Sequence, residues 1–84
     1  MSLGKLEEFV IGKSHWVEYN ERLEFYFAAN DVTDSKKKRA IFFSVGGPAL
    51  YSLVRSLCTP AVPNSVEFAE IQLKLQEHFF SKAL

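Results

Sequence analysis

The first strong pattern along the 84-residue chain is an apolar stripe between Ser14 and Asn30. Apolar side chains recur there at the three- and four-residue intervals of one helix face: Trp16, Tyr19, Leu23, Tyr26 and Phe27. Charged residues break any alternation with period two, so the pattern predicts a helix rather than a strand. Ser14 is the expected N-cap, Asn30 the expected left-handed exit, and Glu18 and Arg22 an expected exposed pair four residues apart.

A second helix is predicted from a cap at Thr33 or Asp34 to about Val45. Its apolar face is expected to begin only after a basic first turn. Lys37, Ile41 and Ser44 share one stripe of this helix, and Ala40 and Phe43 lie beside that stripe. Residues 41–45 have the propensity of a strand. A helix is favoured because no partner strand is visible elsewhere.

Glycine and proline separate the remaining elements. Residues 46–48, Gly-Gly-Pro, end one helix and start a third, with Pro48 at the first helical position. The third helix carries the stripe Leu50, Leu53, Val54 and Leu57. After the proline-containing link 59–63, Asn64 and Glu67 resemble a capping box. The last helix carries apolar residues spaced three, four and four: Phe68, Ile71, Leu75 and Phe79.

These segments predict an all-α fold, a compact bundle of about four to five short helices, as a single domain over residues 1–84. Residues 1–5 are expected to be a cloning remnant or disordered. Because 48% of residues are apolar and ten acids balance ten bases, a disordered chain is excluded. The longest apolar run, Phe25 to Ala29, is far below the ~20 residues that cross a bilayer, so no membrane partner is expected. One cysteine and no signal-peptide core predict an intracellular, cytoplasmic protein.

The sequence shows no constellation of residues for catalysis, metal binding or cofactor binding. His15 and His78 belong to no motif, and are interpreted as residues at helix ends. Cys58 is interpreted as a small core residue. The Gly-Gly-Pro at 46–48 lacks both the Lys-Ser/Thr and the preceding strand of a phosphate-binding loop. We therefore expect no enzyme activity, no cofactor and no metal.

Charge is uneven although it sums to zero. Residues 1–34 hold three bases and seven acids (−4), residues 35–63 hold five bases and no acid (+5), and residues 64–84 hold two bases and three acids (−1). An acidic segment beside a basic one can steer head-to-tail association between copies. The basic run 36–39 is otherwise a solvated helix start or a contact for nucleic acid.

The stretch from Trp16 to Asn30 reads WVEYNERLEFYFAAN. It resembles the W-x-x-Y-x-x-R-L-E-x-Y-F-x-A-N motif of Ty3/gypsy-type retrotransposon Gag, in the N-terminal lobe of its capsid region. The similarity runs from about Phe9 to Phe80 and includes Val32-Thr33-Asp34, residues 37–42, Gly46, residues 51–55, Leu57, Pro60, Pro63 and His78-Phe79. The motif residues, expected to be mostly core, are Trp16, Tyr19, Arg22, Leu23, Tyr26, Phe27, Ala40, Tyr51, Leu53, Leu57, Phe68 and Phe79.

The resemblance implies a structural, capsid-forming domain that acts by association with itself, as in a virus-like particle. The chain shows neither a second capsid lobe nor the zinc knuckle that usually binds RNA in such proteins, so it looks like an excised lobe that contacts nucleic acid only through regions absent here. Domesticated relatives, including Arc-like capsid domains, imply the alternative of an adaptor lobe that binds a partner peptide between helices. A helix-turn-helix nucleic-acid binder is the third reading. The candidate interaction residues are Lys36, Lys37, Lys38, Arg39, Phe9, Phe25 and Tyr51.

Overall fold

The computed structural model describes residues 6–81, and the expectation for residues 1–5 lies outside this range. The described chain forms α1 (Trp16–Ala29), α2 (Ser35–Val45), α3 (Pro48–Cys58), a 3-10 turn (Pro63–Ser65) and α4 (Phe68–Ser81). No residue between 6 and 81 is in a strand, so the all-α prediction is confirmed. In the same range, no helix combines the length and the apolar content needed to cross a bilayer.

The core lies around α4, which packs against each of the other three helices. Every helix contributes at least one side chain with no exposed surface: Leu23 from α1, Phe42 from α2, Leu50 from α3, and Ile71 and Leu75 from α4. The predicted stripes of α1 and α4 face the core, with Tyr26 and Phe79 half-buried at its edge, because their apolar positions repeat along helices of 14 residues. A stripe of that length leaves only one face for burial.

Phe9 lies in this core, with 1% of its surface exposed. Its ring makes edge contacts with Trp16 and Tyr19, at centroid distances of 6.0 and 5.1 Å, and a tilted contact with Phe79 at 5.6 Å. Its N–H donates to the carbonyl of Gly46 at 3.2 Å. The expectation that Phe9 is a candidate interaction residue is therefore wrong, because the segment before α1 folds back over the bundle and buries its ring.

Both ends of α1 differ from the prediction by one residue. His15 occupies the N-cap without a side-chain cap, and the Ser14 hydroxyl instead accepts from the N–H of Val10 at 2.9 Å. At the other end the left-handed residue is Asp31 (φ 55), whereas Asn30 has φ −109. The Asn30 amide donates to the carbonyl of Tyr26 at 2.8 Å, so this side chain closes the last helical turn.

The cap of α2 is confirmed, since the Asp34 carboxylate accepts from the N–H of Lys37 at 3.0 Å. The buried face is rotated from the predicted one. It consists of Arg39, Ile41 and Phe42, whereas Ala40 and Ser44 are exposed. The reason is that Phe42 fills the centre of the bundle, 6.1 Å from the Trp16 ring and 5.5 Å from the Phe68 ring. Ala40 is thus a surface residue rather than a core one.

Pro48 begins α3 as predicted. The capping box at the start of α4 is not formed, because the residues from Pro63 to Ser65 make a 3-10 turn and α4 begins at Phe68. The Glu67 carboxylate accepts from the Ser35 hydroxyl at 3.2 Å instead of reaching back to Asn64. This contact ties the starts of α2 and α4 together.

Candidate interaction site

The Gag-like motif maps mainly onto the core and its edge. Trp16, Tyr19, Leu23, Phe27 and Phe68 are buried, and Tyr26, Tyr51, Leu53, Leu57 and Phe79 are half-buried. Two motif residues, Arg22 and Ala40, lie on the surface. The motif therefore specifies the fold more than it marks a surface.

Arg22 holds the segment before α1. Its guanidinium pairs with both carboxylate oxygens of Glu7, with one Nη2–Oε1 distance of 2.7 Å, and this is the single ion pair within residues 6–81. The hydrogen bonds from Arg22 lower the pKa of Glu7 to about 2. The expected pairing of Arg22 with Glu18 is replaced by this contact, which joins residues 15 apart along the chain. The Glu7 carbonyl also accepts from the Tyr19 hydroxyl at 2.9 Å.

The basic run at the start of α2 is not one solvated patch. Lys36 and Lys37 are exposed, whereas the Lys38 ammonium lies 5.6 Å from the centroid of the Phe27 ring. Arg39 is only 9% exposed and donates through Nη1 to the carbonyl of Val66 at 2.7 Å. Half of the run is thus held by the fold, which leaves two lysines free for a long-range contact with a polyanion.

A groove of about 370 Å³ lies between α2, α3 and the 3-10 turn. It brings together three of the candidate interaction residues, Lys36, Arg39 and Tyr51. Four further residues that were not candidates for an interaction complete its lining: Ala40, Phe43, Pro63 and Asn64. The rings of Phe43 and Tyr51 meet edge to face at 5.0 Å and form an aromatic wall. The groove therefore has one cationic side and one apolar side.

Arg39 is the more buried of the two cations that line this groove. A guanidinium has five N–H donors, and the only acceptor that the Arg39 side chain contacts among residues 6–81 is the Val66 carbonyl. Trp16 Nε1 is the only buried side-chain nitrogen or oxygen in that range without a partner. The other Arg39 nitrogens therefore reach solvent, and Arg39 forms no ion pair with any carboxylate of residues 6–81. A mostly buried cation in this state favours an anionic partner.

The second candidate surface is the solvent face of α1, opposite its buried stripe. Phe25 is 75% exposed, the largest value among the big apolar side chains described. Ala28 and Ala29 follow it by three and four residues and are also exposed, and Glu18 and Glu21 precede it on the same face. The acidic character of this face is retained because the nearby cation, Arg22, is already paired. Of the expected aromatic contact residues, Phe25 and Tyr51 remain accessible, and they lie on different surfaces.

Another depression, of about 480 Å³, lies between the first turn of α1 and the end of α4. Cys58 is buried, and burial raises the pKa of its thiol, so the reactive thiolate is disfavoured. Within residues 6–81 no three His, Cys, Asp or Glu side chains are grouped to hold a metal ion.

Comparison of the chain with protein family models, with characterised proteins and with solved structures finds no match.

Proposed function

We propose that this chain is a structural, non-catalytic domain that associates with itself, in the manner of the N-terminal capsid lobe of a Ty3/gypsy-type Gag. The motif between Trp16 and Asn30 supports the Gag origin, since its aromatic and aliphatic members pack in and around one small helical core. An intracellular, cytoplasmic location is consistent with this role and with a single, buried cysteine.

One observation carries the proposal of self-association. The same chain presents two accessible surfaces of opposite charge, each with an aromatic side chain: the α1 face with Phe25, and the groove with Tyr51. A protein with two such complementary surfaces can bind a second copy of itself at both of them. Homotypic contacts of this kind are what a capsid domain requires.

Sedimentation velocity of the full chain tests the proposal. Concentrations from about 10 μM to 1 mM cover weak, transient contacts. We expect the weight-average mass to rise above the 9.6 kDa of one chain as concentration increases, and electron microscopy to reveal ordered assemblies at the upper end. A mass that stays at one chain over the whole range, at both low and physiological salt, would contradict it.

A peptide-binding adaptor is the second candidate, and the groove beside Tyr51 is the observation that favours it. An acidic peptide with one aromatic residue matches the two cations and the aromatic wall. Titration of such a peptide into ¹⁵N-labelled protein separates the two functions. Saturable amide shifts confined to the groove, in a chain that stays monomeric, would favour the adaptor. Steeply salt-dependent binding of single-stranded RNA would instead indicate the nucleic-acid reading.

A further inference from the structure

The two candidate surfaces share one spacing along their helices. On α1, Glu18, Glu21 and Phe25 are separated by three and then four residues. On α2, Lys36, Arg39 and Phe43 are separated by three and then four residues as well. Residues at these intervals lie on one side of a helix, about one turn apart. Each helix therefore presents two charges followed by a phenylalanine, with acids on α1 and bases on α2.

We infer that the solvent face of α1 docks into the α2–α3 groove of a second copy of this chain, with the two helices parallel. In this register Glu18 lies opposite Lys36, Glu21 lies opposite Arg39, and Phe25 enters the groove beside Phe43 and Tyr51. The inference deepens the proposed self-association and rests on it, because it assigns the surfaces through which copies meet.

The size of the groove fits this occupant. A cavity of about 150 Å³ is enough to hold a benzene molecule in a protein interior, so a groove of about 370 Å³ accepts a phenyl ring with room for part of its backbone. Ala40 lies on the groove side of α2 between Lys36 and Phe43, and its small side chain lets a second helix approach closely. On α1, the small side chains of Ala28 and Ala29 after Phe25 also allow a close approach of the two helices.

Charge selects a second copy over an unrelated apolar partner. The solvent-accessible nitrogens of Arg39 have no acceptor among the described residues, and Glu21 of another chain supplies one. The side chains of Glu18 and Glu21 make no hydrogen bond and no ion pair within residues 6–81, so neither acid needs to break one in order to bind.

The contact uses different surfaces on the two copies, so it is heterologous. Such a contact leaves one free α1 face and one free groove on every pair, and it propagates into a ring or an open chain rather than stopping at a dimer. Because the contact includes ion pairs, added salt also weakens the association.

A charge swap tests the register. We expect Glu18→Lys and Lys36→Glu each to raise the dissociation constant by about fivefold, as repulsion at an exposed ion pair does. Both changes in one chain restore the attraction between copies and bring the constant back to within about twofold of wild type. Lys37→Glu is the matched control, because Lys37 is exposed and adjacent to Lys36 but does not line the groove. Sedimentation equilibrium at low salt measures wild type and these four variants, and circular dichroism confirms that each is folded.

A mixing experiment tests the asymmetry. Phe25→Ala removes the ring that docks, and Ala40→Glu places an acid inside the groove, while both positions are exposed and outside the core. We expect each variant alone to associate at least about tenfold more weakly than wild type, since a buried aromatic anchor dominates such contacts. Mixed in equal amounts they form a one-to-one dimer that grows no further, because each supplies the surface the other lacks. Leu73→Ala, at an exposed apolar position on α4, is the control for a lost surface side chain.

The outcomes separate three claims: self-association, the assigned surfaces and the parallel register. A wild-type chain that remains monomeric contradicts self-association itself. If wild type associates, and the Phe25→Ala and Ala40→Glu variants associate equally well, only the assigned surfaces are contradicted. Failure of the Glu18→Lys and Lys36→Glu pair to compensate, with both single variants folded and weakened, contradicts the parallel register.

Discussion

Replacing Phe9 with alanine separates a core role from a surface role at this position. Phe9 is 1% exposed, and three aromatic rings lie within 6.0 Å of its own. We expect Phe9→Ala to lower the free energy of unfolding strongly, whereas Phe25→Ala at a 75% exposed site changes it by no more than about 0.5 kcal/mol.

The expected loss in the free energy of unfolding follows from the contacts of the Phe9 ring. Burying a phenylalanine side chain contributes roughly 1.5–3 kcal/mol through removal of apolar surface from water. The cavity left among Trp16, Tyr19 and Phe79 adds a further cost, which brings the total for a buried Phe→Ala change to about 3–5 kcal/mol. A domain of 84 residues has a total stability of about 4–13 kcal/mol. The variant therefore loses a large part of its stability, and Phe9→Leu loses less because most of the volume is kept.

Urea unfolding, followed by circular dichroism and by the fluorescence of Trp16, measures the effect. Trp16 is the only tryptophan of the chain, and its ring lies 6.0 Å from that of Phe9. With a urea slope of about 1–3 kcal/mol per M, the midpoint of Phe9→Ala falls by at least about 1 M, or the variant is unfolded without urea. An unchanged midpoint combined with lost self-association would refute the core assignment and return Phe9 to the surface.

Three further changes test the local structure. Asp34→Ala removes the cap of α2 and lowers the free energy of unfolding by about 1 kcal/mol in thermal melts; no change would show that the cap contributes nothing. Because the pKa of Glu7 is lowered from 4.5 to about 2 by Arg22, the pair stabilises the fold above pH 4.5 and its contribution disappears as pH falls towards 2. The difference in urea midpoint between wild type and Glu7→Gln should shrink over that window, and a constant difference would argue against the pair. Gly46→Ala places a Cβ against the buried side chain of Leu50 and should lower the free energy of unfolding in urea by about 1–3 kcal/mol. An unchanged free energy would mean that the turn between α2 and α3 relaxes freely.

Much of the fold follows from helical periodicity. The stripes of α1 and α4, the cap at Asp34 and the start of α3 at Pro48 were all predicted from local sequence. Each depends on residues within one or two turns of each other. Local rules of this kind need no knowledge of which elements meet in space.

The errors come from contacts between distant residues. Phe9 precedes any helical pattern, and its burial depends on a hydrogen bond to Gly46 and on the rings that cover it. The face of α2 was misjudged because an arginine is rarely buried, yet the Arg39 guanidinium finds an acceptor 27 residues away. The groove likewise exists only where three separate segments meet. Its cations and Tyr51 were named as candidates, but no local pattern could bring them together with Phe43.

Intermolecular nuclear Overhauser effects test the association of copies most directly. An equal mixture of ¹³C-labelled and unlabelled chains, at a concentration where the mass exceeds one chain, reports only contacts between different copies. We predict effects between the Phe25 ring of one chain and the rings of Phe43 and Tyr51 of another. Effects that connect other surfaces while Phe25 shows none, or a complete lack of intermolecular effects in an associated sample, would contradict the docking of α1 into the groove.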